Sequence, residues 1–235
     1  MIDFVVHEEE YLGLTIKIIQ DTDSNGNDPM DWDMLGKQMY WHRRSNLGHD
    51  YKTTQKYSPE EWLRGEVGEH LNMNNCDVYS KKYEKFDNMT MEELMEEFEK
   101  YNLVIPVHAY EHGGITISAS GCRVGWNSFD SSQLGFVYVS HEDILKNFGK
   151  KKLSKKMLER AKKILIQEVS IYDDYLIGNV WGYKISDEFE NNLDNCWGFL
   201  GNWKYCLKDA KSQAKYFAEE QKKLNKELDK RMMGK

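Results

Sequence analysis

Apolar and polar positions recur along this chain with periods that change from segment to segment, and each period assigns an element. Residues 11–20, Tyr-Leu-Gly-Leu-Thr-Ile-Lys-Ile-Ile-Gln, are rich in β-branched side chains and are followed by an acidic, Gly-containing stretch, which predicts a strand. Ser58-Pro59-Glu60-Glu61 joins an N-cap serine, a first-turn proline and a capping-box glutamate, so a helix is expected to begin there. Thr90-Met91-Glu92-Glu93 repeats that logic. Its helix gathers Leu94, Met95, Phe98 and Tyr101 on one apolar face and leaves Glu92, Glu93, Glu96, Glu97 and Glu99 largely outside it. A longer helix over 154–176 carries a buried stripe of Met157, Leu158, Ala161, Ile164, Leu165, Val169, Tyr172 and Leu176.

The segments 104–111 and 115–121 read as a hairpin whose register the pattern selects. A two-residue Gly113-Gly114 loop would set Ile105, Val107 and Ala109 on the same side as Thr116, Ser118 and Ser120 and mix polar with apolar positions. A three-residue loop, His112-Gly113-Gly114, aligns them instead with Ile115, Ile117 and Ala119 and puts a glycine where a left-handed residue is needed. His108, Tyr110, Thr116, Ser118 and Ser120 then share the opposite face, which is either exposed or the floor of a cleft. A further strand, Gly135-Phe136-Val137-Tyr138-Val139, ends at Ser140, which can cap a short helix with Asp143 at its third position. Val180-Trp181-Gly182-Tyr183 and Cys196-Trp197-Gly198-Phe199 read as a second hairpin that pairs aromatics across its strands.

The C-terminal helix runs from near Leu207 to about Met232, and Leu207, Ala210, Ala214, Phe217, Gln221, Leu224 and Leu228 follow the three-and-four spacing of a coiled-coil seam. Such a seam packs on its own domain, on a second copy or on another protein. The expected fold is α+β, a mainly antiparallel sheet packed by helices, with residues 1–206 as a globular domain and 207–235 as a helix packing on that domain or on a partner.

Composition narrows the field. In 235 residues, 40% hydrophobic, 30% charged and 13% aromatic content describes a chain that folds around a core. The net charge of −7 disfavours general nucleic-acid binding, which needs clustered Lys and Arg, and the run Lys150, Lys151, Lys152, Lys155 and Lys156 reads as a solvated helix start. Cys76, Cys122, Cys196 and Cys206 have no metal spacing and read as free thiols. No apolar run reaches the roughly 20 residues of a membrane span. Glu8, Glu9 and Glu10 follow the N-terminal apolar stretch too closely for a signal peptide, so a cytoplasmic protein that binds no membrane is expected.

Three groups of residues could carry chemistry. Asp21-Thr22-Asp23-Ser24-Asn25-Gly26 copies the first half of an EF-hand loop, but position twelve is Trp32 in place of the bidentate glutamate. Asp21, Asp23, Asn25, Asp28 and Asp33 are therefore the candidate ligands for calcium or magnesium, set against an Asx-rich turn that caps its own backbone. His42, Arg43 and Arg44, followed by His49 and Asp50, form a dense ionisable patch that serves either acid–base chemistry or ion pairs of Arg43 or Arg44 with the acid-rich loop. Cys122 with His108 or His112 is a conceivable nucleophile and base, opposed by the commonness of buried sheet cysteines. Phosphate-binding glycine loops, nucleophile elbows and dinucleotide fingerprints do not occur in the sequence. Exposed acids, Glu92 to Glu99, Asp173, Asp174, Asp187, Glu188 and Glu190, are candidates for phosphate mimicry or simply a solvated surface.

The order of Asp21-Thr22-Asp23, Pro29, Trp32-Asp33, His42-Arg43-Arg44, Leu47-Gly48 and His112-Gly113-Gly114-Ile115-Thr116-Ile117-Ser118 resembles a family of uncharacterised small proteins encoded by tailed bacteriophages. Gly135 to Val139, Tyr172 to Gly178 and Cys196 to Phe199 fit the same pattern, so the resemblance spans most of residues 11–210. It departs at Trp126-Asn127-Ser128-Phe129-Asp130, where the family resembles Trp-Asp-Ser-Gly and Asp130 would have to supply the acid. The resemblance implies a phage accessory protein of the anti-defence, anti-CRISPR or host-takeover kind. Such a protein works in the bacterial cytoplasm by binding and inhibiting a host protein or protein–nucleic-acid complex. His42, Arg43, His108, Tyr110, His112, Trp126 and Asp130 are its candidate contact residues. The C-terminal helix lies outside the resemblance, and its seam can pair two copies of the chain. Two other expectations stand beside it: a metal-dependent hydrolase built on the Asp-rich loop, and a virion or scaffolding component built on the C-terminal seam.

Overall fold

The computed structural model describes residues 4–22, 28–121 and 129–233. Cysteine 122, Trp126, Asp23 and Asn25 lie outside the described residues. The fold is α+β with antiparallel sheets, and the chain divides into two compact units, one of residues 1–29 with 174–235 and one of residues 30–173.

The first unit is a four-stranded sheet in the order β1-β2-β7-β8, with β1 at Val5–Tyr11, β2 at Leu14–Gln20, β7 at Val180–Ser186 and β8 at Asn192–Leu200. Residues 11–20 are thus not one strand. Tyr11 pairs with Leu14 across a two-residue loop, Leu12-Gly13, in which both residues have positive φ (56° and 82°), the backbone of a tight hairpin turn. The missed strand β1 reads Val-Val-His-Glu-Glu-Glu-Tyr, and as an edge strand paired only with β2 it tolerates charges that hide it from a search for apolar periodicity. The second hairpin forms as the pattern predicts, with Trp181 opposite Phe199 and the Tyr183 and Phe199 rings 5.8 Å apart.

One face of this sheet is covered by the C-terminal helix, which spans Trp203–Met233 and is α7 when the helices are numbered in chain order. Its inner half buries Cys206, Ala210 and Ala214 against Ile16, Ile18, Tyr183 and Ile185. Small residues on the helix let the two backbones approach closely. Ala218 is the last described residue of α7 that is buried, and residues 219–229 are exposed throughout.

The second unit is a sheet in the order β3-β6-β4-β5, formed by β3 at Lys37–Tyr40, β4 at Asn102–Glu111, β5 at Ile115–Ser118 and β6 at Ser131–Ser140. The three-residue loop is present. Glu111 pairs with Ile115 and Ala109 with Ile117, so both apolar side chains point to the same buried side. Helices follow in chain order: α1 at Tyr51–Lys56, α2 at Pro59–His70, α3 at Lys81–Asp87, α4 at Met91–Glu99, α5 at His141–Asn147 and α6 at Lys155–Leu176. Both predicted capping boxes close, Ser58 with Glu61 and Thr90 with Glu93, and Ser140 caps α5 through Asp143.

Met39, Phe136 and Tyr138 face Trp62, Leu63 and Val67 of α2 and Leu94 and Phe98 of α4, an aromatic core in which Trp62 lies 5.6 Å from both Phe98 and Phe136. The alternate positions look the other way. There Gly36 is closed in by Leu165 of α6 and Val137 of β6, and the Tyr40 and Tyr172 rings stack at 6.3 Å. Two acids expected on the surface or not singled out are buried on this side. Glu168 receives the backbone N–H groups of Leu35 and Gly36 at 2.7 and 2.9 Å, and Asp173 receives the Thr116 hydroxyl and the Ile117 N–H at 2.6 and 2.7 Å. Asp173 is therefore no phosphate mimic, and the polar face of the β4–β5 hairpin is partly occupied from within.

Candidate functional site

Most of the residues that the sequence singles out for binding meet at the turn end of the β4–β5 hairpin. His42 and Arg44, on the segment after β3, reach the two oxygens of Glu111, with His42 Nε2 3.2 Å from Oε1 and Arg44 Nη2 2.6 Å from Oε2. Asp130, just before β6, accepts the Glu111 N–H through its backbone oxygen at 2.9 Å, and its carboxylate lies 3.5 Å from His112 Nδ1. The Tyr110 and His112 rings stack with centroids 6.0 Å apart. Arg43 is exposed beside this patch.

The hydrogen bonds assign His42 a structural role. Its side chain is only 7% exposed, and Nδ1 accepts the Ser45 N–H at 2.9 Å, which leaves the proton on Nε2 to be donated to Glu111. Burial raises the Glu111 carboxyl, but hydrogen bonds from His42 and Arg44 outweigh that and hold it below the ordinary carboxylate range. Glu111 was not legible as a site residue, because the partners of its carboxylate lie 67 or more positions away in the chain and no local pattern encodes that pairing. His108 is half-buried, and its Nδ1 has no partner among the described residues.

The candidate metal ligands are not brought into one described cluster. Asp21 and Asp28 belong to the first unit and Asp33 to the second. Among the described residues, no group of three or more His, Cys, Asp or Glu side chains is close enough to hold a metal ion.

A cleft of about 850 Å³ opens elsewhere in the second unit, a volume typical of sites for small organic ligands. The last turns of α2 present Glu66, Glu69 and His70, which the i, i+3, i+4 spacing sets on one helix face. Tyr101 enters from the junction of α4 and β4, Tyr138 from the end of β6, and Asp143 from the first turn of α5. Tyr138 is held by its ring, 5.8 Å from Trp62 and 5.2 Å from Phe98. Tyr101 stacks on His70 with centroids 3.5 Å apart and meets Phe98 edge-on.

The chain matches no family model, no curated protein and no solved structure.

Among the acids that line the cleft, Glu66 is the one whose carboxyl is shifted upward. Burial and the neighbouring Glu69 push its carboxyl above the ordinary range, and Lys37 pulls it back by less. Burial, Glu97 and Glu66 raise the Tyr101 phenol to about 12. Burial, Glu66 and Asp143 raise the Tyr138 phenol as well. Both phenols therefore keep their protons at neutral pH and offer a donor and an acceptor each. Of the residues that line the cleft, only Asp33 was singled out from the sequence as a site residue, as a candidate metal ligand. The legible signals were Glu66, Glu69 and His70 on one α2 face, and a tyrosine in each of two strand or helix ends.

Proposed function

We propose that the protein is a phage accessory protein that binds and inhibits a host protein or nucleoprotein machine in the cytoplasm of the infected bacterium. The observation that supports this reading best is the state of the α7 seam. Its inner half is an established interface with the protein's own sheet, and the same line of positions continues past that sheet with Leu224, Leu228 and Met232 exposed by 57%, 47% and 71%. Apolar side chains repeated along one helix line and left in water are favourable to cover, and a partner's groove or helix does so by helix-in-groove recognition. Lys222, Lys223, Lys226, Glu219, Glu220, Glu227 and Asp229 flank the seam with both signs of charge, which suits a rim that sets specificity.

The resemblance of the His42, His112 and Cys196 segments to tailed-phage proteins supports the host as the source of the partner. The test is affinity capture from host lysate by the full chain and by a Leu224→Glu, Leu228→Glu variant, with cross-linking to locate the contact. The reading expects one stoichiometric host protein, cross-linked to residues 219–229 and released by the double substitution. Sedimentation of the purified chain separates the other occupant: a dimer that the same variant dissolves would assign the seam to a second copy and overturn the host reading.

A further inference from the structure

The charge of the second unit carries a separate inference, independent of what covers α7. Nine of the chain's 32 Lys and Arg residues fall within the 18 residues 146–163, against one of its 39 acids, Glu159. A chain of net charge −7 thus gathers nine cations less one acid, a net +8, in the end of α5, the start of α6 and the connection between them. The overall charge hides this segregation, and a partner at the surface meets the local field.

All nine are exposed, and none of them forms an ion pair among the described residues. Cations elsewhere do find carboxylates, as Arg44 finds Glu111, Arg64 finds Glu60 and Lys211 finds Glu9. Helical spacing sharpens the contrast. Ala161, Leu165 and Val169 form the buried side of α6, which leaves Lys156, Arg160 and Lys163, four and three residues apart, together on the opposite side. Like charges repel at that spacing. The first turn of α6 contains no acid, so Lys155 and Lys156 also stand at the positive end of the helix dipole, where a cation is unfavourable. Both effects oppose the free folded chain, and a bound polyanion reverses the sign of both.

The surroundings select the polyanion. Among the described residues, no large hydrophobic side chain between positions 130 and 176 is exposed, so the surface has nothing to insert into a lipid layer. The same fact removes the stacking platform that single-stranded nucleic acid requires, since Phe148 is half-buried with Arg160 over its ring at 5.1 Å. A protein surface intersperses both signs of charge, whereas a duplex carries one negative charge per about 1.7 Å of its axis. Eight of the nine cations are lysines, point charges that hold phosphates without reading base edges.

We propose that the basic surface of residues 146–163 binds the phosphate backbone of a nucleic-acid duplex without reading its sequence.

Fluorescence anisotropy of the full chain at low salt tests this with labelled DNA and RNA duplexes of two unrelated sequences, the matching single strands, and vesicles of phosphatidylserine and phosphatidylcholine. Binding of duplex is expected, alike for both sequences and tighter than for the single strands. Six phosphate contacts would cost it about a thousandfold in affinity between about 50 and 200 mM salt. Preference for one duplex assigns the surface to DNA or to RNA. The triple variant Lys151→Glu, Lys152→Glu, Lys156→Glu should weaken binding about a hundredfold or more, since it replaces three phosphate contacts by repulsion. Lys204→Glu, Lys208→Glu, Lys215→Glu makes the same change in net charge on exposed lysines of α7 and should weaken it far less. Absence of duplex binding, equal weakening by the two triple variants, or vesicles or single strands bound more tightly than duplex overturns the proposal. Thermal melts of the free chain add a readout that a structural role would reverse: the 151, 152, 156 variant should melt at or above the parent's temperature, because it relieves repulsion, and a lowered melting temperature would assign these lysines to the fold and sink the inference.

Discussion

Single residues in this protein are pinned by partners distant in the chain. Glu111 joins His42 and Arg44, and its lowered pKa makes it a source of acid sensitivity. Its contribution is present above the ordinary carboxylate pKa and is lost as pH falls through the depressed value in the folded state. Thermal melts over an acid series should therefore show a shallower loss of stability for Glu111→Gln than for the parent chain. Glu66 has the opposite sign. Its pKa is raised, so stability from the protonated form is present at low pH and is lost as pH rises through the folded value. Glu66→Gln should accordingly raise the melting temperature at neutral pH, with the gain vanishing below the ordinary carboxylate pKa. Gly135 is constrained by contact: a Cβ there would run into the Met39 carbonyl oxygen of the paired strand. Gly135→Ala should cost more than about 3 kcal/mol by denaturant titration, since only a backbone shift relieves a clash with main chain.

At the level of elements, legibility followed burial. Strong one-sided patterns predicted β4, β5, α4 and α6, and capping boxes marked the starts of α2 and α4, because a buried face leaves a periodic trace. The elements that escaped have no such trace. Strand β1 is an acidic edge, and α1, Tyr51–Lys56, buries none of its residues. Glu168 shows a different limit. On the stripe of α6 it is a charged residue at a core position, legible only once the Leu35 and Gly36 amides are seen to end on its two oxygens. Glutamine offers one acceptor where the glutamate offers two, so Glu168→Gln should strand one buried N–H and cost about 1–3 kcal/mol. Chemical denaturation checks this, and an unchanged midpoint would remove Glu168 from the account.

For the whole molecule, the two units differ in what they expose. The second unit holds the hairpin-end ion pairs and the phenol-lined cleft, and the first carries a helix that outruns the sheet it packs on. The helix itself was legible as a seam, but which half finds its partner within the chain was not, because Ala210, Ala214, Leu224 and Leu228 follow one spacing and only the extent of the sheet separates them. Deleting residues 220–235 should leave stability within about 0.5 kcal/mol, since none of residues 220–229 is buried. The most direct measurement is quantitative capture of host proteins by the full chain and by this truncation, side by side. A stoichiometric host protein retained by the full chain and lost by the equally stable truncation is the predicted result. Identical capture by both, or no stoichiometric host protein with either, would contradict the claim that the outer half of α7 is where this protein meets its target.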